Sequence, residues 1–461
     1  MLEIELARGF RVLASGSRLR YDAFMSLTAK ILGGLEFSIA GSSVEPGSSL
    51  ELLVYLAANP GLRSWSELEA AFEDARGVIL PEAVRAFVLE DDSGLRLICS
   101  SDLQDYRAAG NNLRTLAKLR GDLAPDLTSS NPRFTTWLET ARFEIQRQFL
   151  TALLAHAGGL EDKGRKLEAA KNLEFVERER AKLENPVFAA KLELDLARYE
   201  WARGRPVTSA ARLEHAIPNL HPDLADEARV NLGAALVRLG RPLEAITHLT
   251  TVTHANSRGW ALAHLANARR VRGELPAALE VADQAFALAK REQDGELAVA
   301  ALVVKGETLL EQAIEAKLQP KEAVIAFGQA LGISEVLGEE ASAGVLAGLA
   351  HAHAVWGSKQ KALEMAEKAF KRARTAKDMP NATRALLSLY ATTKIVSFAK
   401  NALSEARACQ HKPLELLALL ELAARDHDPE LMLEARVIAE QIGSARLLDR
   451  LRQMKEESKS R

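Results

Sequence analysis

Cysteine is nearly absent: Cys99 and Cys409 are the only two in 461 residues and lie 310 positions apart. A disulfide scaffold uses more, so a reducing, cytoplasmic setting is the expectation. Aromatic residues make up only 5 %, which argues against a sheet-rich core. Long apolar runs are missing as well. The longest, Leu297–Val304, has eight residues, against the roughly 20 needed to span a bilayer. Met1–Glu5 carries acid where a secretory leader needs positive charge. Neither sign of charge dominates, since 60 Lys+Arg face 62 Asp+Glu for a net −2. That excludes a globally basic nucleic-acid binder, though not a local patch. No phosphate-binding Gly-x-x-x-x-Gly-Lys-Ser/Thr, no Gly-x-Ser-x-Gly and no His-Glu-x-x-His occurs. The chain therefore reads as a protein without a catalytic, metal or cofactor site.

What is present is helical and repetitive. Hydrophobic residues are 48 % and charged residues 26 %, the balance of a folded chain rich in helix formers. Gly240 is followed by Ala245 and Leu249; Gly273 by Ala278, Ala282 and Ala285; Gly357 by Ala362, Ala366 and Ala369. Gly164 and Gly204 lead to Ala169 and Ser209 in the same phase. The first four turn glycines are thus 40, 36 and 33 residues apart. Each unit predicts two helices joined by a turn that glycine adopts readily, with small residues letting the helices approach. One expanded unit, Glu296–Leu337, replaces its turn glycine with Lys317-Leu318-Gln319-Pro320. These units resemble tetratricopeptide repeats over Glu161–Arg374; a generic helical bundle is the alternative. Beyond Asp378 the chain predicts helices over Ala382–Lys394, Leu414–Asp426, Pro429–Gly443 and Ala445–Glu457, with poorer repeat signals.

The first 100 residues are different. Ile31–Ile39 followed by Gly41 predicts a strand, a turn and a short strand. Leu50–Ala58 is an apolar-faced helix closed by Asn59-Pro60-Gly61. Ser64 or Ser66 caps a second helix through Phe72, with Glu67 and Glu69 in its first turn. Pro81–Leu89 predicts a third helix, and Gly94–Cys99 a strand. Strand, three helices and closing strand form the plan of a winged helix.

The motifs Leu32-Gly33-Gly34-Leu35-Glu36-Phe37, Leu56-Ala57-Ala58-Asn59-Pro60-Gly61 and Gly94-Leu95-Arg96-Leu97 before Asp102 resemble the winged-helix half of bacterial transcriptional activators of the antibiotic-regulatory type. The segment from Asp102 onward resembles their bacterial transcriptional activator domain: Tyr106 on a helix, a turn at Leu119–Pro125, then Phe134, Trp137, Glu139 and Arg142 opening a long helix to about Ala157. The resemblance spans positions 29–290. It implies a mainly α fold, a tetratricopeptide-like α-solenoid preceded by a small degenerate winged-helix-like α+β domain. The division it implies is 1–100 for that domain, 101–160 for activator-domain helices capping the solenoid, 161–378 for the repeats and 379–461 for C-terminal helical repeats and cap. It also implies transcription regulation, with a protein or peptide partner, or an effector, on the concave solenoid face. A plain repeat scaffold without a transcriptional role is the alternative, and either reading leaves room for a homo-oligomer.

Direct DNA binding is expected to be weak or lost. Only 21 residues, Glu73–Ser93, separate Phe72 from Gly94, too few for a full recognition helix and its loop. From Leu27 to Ser100 five basic residues face eleven acidic ones, a balance of −6, whereas a duplex reader needs cations to displace counterions. Arg8, Arg11, Arg18 and Arg20 are the candidate nucleic-acid contacts, with a solvated strand face as the plainer reading. Lys368, Lys371, Arg372, Arg374 and Lys377 are the candidate partner groove, or otherwise a solvated helix face. His351 and His353, two apart on a helix, point away from each other and share no metal face. Trp201, Trp260 and Trp356 read as inter-repeat packing, Cys99 as an inert core thiol and Cys409 as an ordinary surface cysteine.

Overall fold

The computed structural model describes residues 26–72, 74–119, 121–337, 343–426 and 428–459. Arg8, Arg11, Arg18 and Arg20 lie outside these residues. The chain divides into two compact units between Val176 and Glu177. It is mainly α: a tetratricopeptide-like solenoid preceded by a small α+β region. Among the described residues no helix is long and apolar enough to cross a membrane.

The α+β region contains β1 (Leu27–Lys30), β2 (Glu36–Ile39), β3 (Ser42–Val44), α1 (Leu50–Ala58), β4 (Arg63–Ser64), α2 (Trp65–Ala71), α3 (Glu82–Arg85), β5 (Val88–Asp91), β6 (Gly94–Leu97) and β7 (Ser100–Ser101). One sheet has the order β3-β2-β1-β7, with β7 parallel to β1; the other is antiparallel in the order β4-β6-β5. Ser64 caps α2 in a capping box with Glu67. Two expectations shift. The first strand lies at Leu27–Lys30, four residues before Ile31. The helix expected over Pro81–Leu89 shrinks to the single turn of α3, because Val88–Asp91 is taken by a hairpin. The Asp91 carboxylate closes that hairpin by accepting the N–H of Ser93 (2.7 Å) and of Gly94 (3.1 Å).

Three further helices complete this part: α4 (Asp102–Ala108), α5 (Leu113–Leu119) and α6 (Pro132–Asp162). Four aromatic rings tie α6 to the α+β region in a closed circuit. Tyr55 meets Phe72 at 5.5 Å and Trp137 at 4.8 Å, while Phe134 meets Phe72 at 5.5 Å and Trp137 at 5.3 Å. The Asp102 carboxylate accepts the N–H groups of Ile31 (2.9 Å) and Leu32 (3.0 Å). The Tyr106 hydroxyl donates to the Ile145 carbonyl at 2.9 Å, and Arg142 donates to the carbonyls of Leu123 and Ala124. Tyr106, Phe134, Trp137 and Arg142 are therefore packing and positioning groups of this unit.

Helix α7 (Lys166–Ala181) follows, and then come paired helices: α8 (Pro186–Ala202) with α9 (Pro206–Ala216), α10 (Pro222–Arg238) with α11 (Pro242–Thr250), α12 (Ala255–Arg272) with α13 (Leu275–Glu292), α14 (Gly295–Glu315) with α15 (Lys321–Leu337) and α16 (Ala343–Trp356) with α17 (Lys359–Thr375). The array ends with α18 (Met379–Thr393) and α19 (Val396–Ala408), α20 (Lys412–Asp426) and α21 (Pro429–Ile442), and α22 (Ala445–Lys459). Proline opens many of them in the first turn, where its missing N–H goes unused. The turn glycines Gly164, Gly204, Gly240, Gly273 and Gly357 all have positive φ, from +72° to +88°. Helix α19 was not expected, because its flanking turns hide their signal. Lys394 (φ 57°) and Gln410 (φ 54°) occupy the left-handed positions that glycine marks elsewhere.

Candidate functional site

In the helix pairs the first helix is the more deeply buried, as with α10 and α12 against α11 and α13. Within this unit the array turns back on itself. Arg238 at the end of α10 donates to the Cys409 carbonyl at 3.0 and 2.8 Å, and Gln441 donates to the Leu239 carbonyl at 3.1 Å. A Cβ built on Gly240 would stand 3.0 Å from Lys412 Cβ, and one on Gly273 3.0 Å from Arg446 Cβ. Helices α20–α22 thus lie against α10 and α12, and one apolar core runs through both, from Leu232 and Leu236 to Leu419 and Leu451.

Charged side chains gather where apolar ones would be expected. Glu307 and Glu311 are four residues apart on α14, so one helical face presents both carboxylates. Arg270 of α12 bridges them, at 3.0 Å to Glu307 and directly onto Glu311. Arg384 of α18 reaches Glu307 from the other side at 3.3 Å. Arg446 of α22 joins Glu311 and lies 2.6 Å from Glu315. Three arginines and three glutamates from four helices form one relay. Burial alone would raise the Glu307 carboxyl, but Arg270 and Arg384 outweigh it and hold it below its ordinary value.

Three histidines adjoin this interior. Burial pushes His264 down to about 4. His351 is also lowered by burial, although Glu421, Glu311 and Glu307 pull it the other way. His411 falls well below its usual value through burial and the charges of Arg384 and Arg238, and its Nδ1 accepts the Leu414 N–H at 3.3 Å. All three rings are shifted towards the neutral form. His353 lies elsewhere, stacked 6.4 Å from Trp356. Cys409, expected at the surface, is 4 % exposed. Burial raises its thiol, so it is no thiolate nucleophile. Cys99 is half-buried and its thiol is raised by burial to about 11.

The five basic residues singled out in the sequence sit on α17 and the turn that follows. That helix buries Ala362, Ala366, Ala369 and Ala373 and leaves Lys368, Lys371 and Arg374 exposed. Arg374 pairs with Glu405 of α19 and lies over the Phe370 ring at 5.0 Å. Lys377 occupies a left-handed turn. None of the five joins the relay on α12, α14, α18 and α22. The relay itself had one legible sign in the sequence, the Glu307/Glu311 pair directly after the longest apolar run.

No family model matches the chain, and no curated protein matches its sequence. Solved structures do match in fold. A Rap protein complexed with Competence and Sporulation Factor aligns with a TM-score of 0.50 at 14 % identity, over 78 % of this chain and 98 % of that one. The Rap conjugation gene regulator of plasmid pLS20, in complex with the Phr* peptide, gives 0.46 at 12 % identity, over 76 % and 97 %. A signal-transduction ATPase with a tetratricopeptide-repeat sensor from Pyrococcus horikoshii gives 0.39 at 16 % identity, over 88 % and 64 %. At these identities the likeness is one of fold.

Proposed function

We propose that the chain is a regulatory or adaptor protein, not an enzyme, that grips a protein or peptide segment on the inner face of its solenoid. The observation that carries this reading is the relay of Arg270, Glu307, Arg384, Glu311 and Arg446. Interior ion pairs add little net stability, because desolvation offsets their attraction. Apolar residues would hold these helices together at least as well. Charges here supply exchangeable donors and acceptors for a polar main chain and its side chains. The Rap protein of similar fold is itself complexed with a second molecule, which supports a solenoid of this build in a binding role.

The regulatory half of the reading rests on the resemblance to bacterial transcriptional activators. The order α1-β4-α2-α3-β5-β6 with a β4-β6-β5 sheet supports a winged-helix ancestry for the α+β region. Its third helix, Glu82–Arg85, has one turn, too short to lie along a major groove. Regulation would then run through the partner, with weak DNA contact at most.

The test is capture from native cytosol by tagged full-length protein, with cross-links mapped by mass spectrometry. The reading expects one captured species cross-linked to α12, α14 or α18, and at least tenfold less of it with Glu307→Lys folded as wild type by circular dichroism. Capture unchanged by that substitution would move the working surface elsewhere. A partner from the transcription machinery would favour the regulator over the plain scaffold.

A further inference from the structure

The first unit holds a groove that the relay does not touch. Helix α5 forms one wall, with Leu113, Arg114 and Ala117, and the C-terminal half of α6 forms the other. The cavity between them measures 680 Å³. Its floor is shallow because α6 presents Ala152, Ala155 and Gly159 to it, spaced three and four residues apart. From Ala152 to Lys163 it follows α6 for about 16 Å, or three helical turns.

Gly159 is the informative residue. It stands inside a 31-residue helix, where glycine weakens the helix relative to alanine. A Cβ built on it would meet nothing within 4 Å. No neighbour among the described residues requires the missing side chain, so the described residues leave this space open. The rim supplies the second observation. Arg114 stands on one side, His156, Lys163 and Arg165 on the other, and among the described residues no carboxylate lines the cavity. Glu168 engages Arg165, whereas Arg114 and Lys163 make no ion pair among the described residues.

The geometry points to this groove as a docking site for a short acidic amphipathic helix of a partner protein, about three turns long, with small apolar residues against Gly159 and Asp or Glu on its flanks. A helix fits because it satisfies its own backbone hydrogen bonds, whereas an extended segment would find no free strand edge between α5 and α6. Charge complementarity sets the sign of the partner. Nucleic acid fits less well, since the floor is apolar and His156 is the one ring in the lining, without a platform for stacked bases. The site is independent of the relay, so either proposal can fail while the other stands.

Fluorescence anisotropy on the full-length protein tests it with a labelled 15-residue synthetic helix carrying Ala and Leu on one face and Glu on both flanks. Its counterpart has every Glu replaced by Lys. The expected result is binding of the acidic peptide alone, weakened at least tenfold by Gly159→Leu and also by the pair Arg114→Glu and Lys163→Glu. Gly159→Leu should melt at or above wild type, which separates blockage from unfolding. Equal affinity for both peptides, or undiminished binding to Gly159→Leu, overturns the proposal. Tighter binding of a single-stranded oligonucleotide at the same rim overturns it in favour of nucleic acid. A wild-type dimer in sedimentation that Gly159→Leu dissolves reassigns the groove to a second copy of the chain.

Discussion

The Arg238 guanidinium forks onto the carbonyl oxygen of Cys409, 171 residues later, through Nε at 3.0 Å and Nη2 at 2.8 Å. Arg238 is 8 % exposed and also lies over the Trp201 ring at 5.2 Å. Two charge-assisted hydrogen bonds to one interior carbonyl fasten the end of α10 to the turn before α20. A hydrogen bond from a charged donor contributes about 1.5–3 kcal/mol, and an abandoned interior acceptor adds its own penalty. Arg238→Met should therefore destabilise the second unit by about 2–4 kcal/mol while keeping the apolar stem in place. Arg238→Lys, with a single donor point, should cost roughly half as much. Urea unfolding followed by circular dichroism reads both, and an unchanged midpoint in Arg238→Met would dismiss the fastening.

Two turn glycines separate backbone strain from crowding. Gly240 (φ +77°) and Gly357 (φ +88°) have the same left-handed backbone, but only Gly240 has neighbours, Lys412 at 3.0 Å and Ile442 at 3.4 Å from a built Cβ. Valine at either site meets the left-handed penalty of about 1–2 kcal/mol. Gly240→Val should lose more than Gly357→Val, because a Cβ must also push α20 away from α10. Equal melting temperatures for the two variants would mean that the return of α20 onto α10 contributes nothing to stability.

The repeat register was legible for a plain reason. Glycine is the cheapest residue at positive φ, so each glycine turn announced itself and the alanines after it reported close helix packing. Where lysine or glutamine adopts the same φ, as at Gln293, Lys317, Lys377, Lys394 and Gln410, composition gives no sign, and α19 escaped notice. The relay was illegible for a different reason. Glu311 and Arg446 are 135 positions apart, and only the turning of the array brings them together. The hairpin at Val88–Leu97 was masked because Pro81-Glu82 reads as a helix start, while the competing signal, Asp91-Asp92-Ser93-Gly94, lies at the other end of the segment.

Acid should loosen the second unit before its carboxylates titrate. His264, His351 and His411 are all lowered by burial, His264 to about 4. The unfolded chain takes up protons near pH 6.5 while the folded one does not, so it binds more protons in the window below. The stabilisation is complete above about pH 6.5 and declines as pH falls towards 4, by at most about 1.4 kcal/mol per pH unit per histidine. Urea midpoints at pH 7, 6 and 5 should fall in that order, and His264→Gln should flatten the slope. A midpoint constant from pH 7 to 5 would contradict rings that this environment holds towards the neutral form.

DNA binding should be weak, salt-sensitive and indifferent to sequence. The balance of −6 over Leu27–Ser100 and the one-turn helix Glu82–Arg85 leave few cations to release counterions. Raising salt from 50 to 200 mM should abolish any retardation of a duplex in a gel. Nanomolar affinity for one defined duplex at physiological salt would reverse this reading of the α+β region.

The solenoid should fold without the α+β region, provided the cut respects the packing. A break after residue 100 would cut β7 in two, removing its β1 partner, and strip Phe134 and Trp137 of Tyr55 and Phe72. A break before α7 spares the second unit its losses, because Glu177 and Arg180 stay to pair with Arg212 and Glu193. The fragment 166–461 keeps the continuous core from Ala190 to Met454. Within the fragment each pair still buries its neighbour's apolar face, and the return of α20–α22 onto α10 keeps the Arg238–Cys409 fastening. The fragment should show a helical spectrum, one cooperative urea transition and the Arg238→Met penalty of the full-length protein. A molten fragment would mean that the second unit is not self-sufficient. If it folds and captures the same partner, the binding surface lies within the solenoid; if it folds and captures nothing, the α+β region or α4–α6 holds the partner.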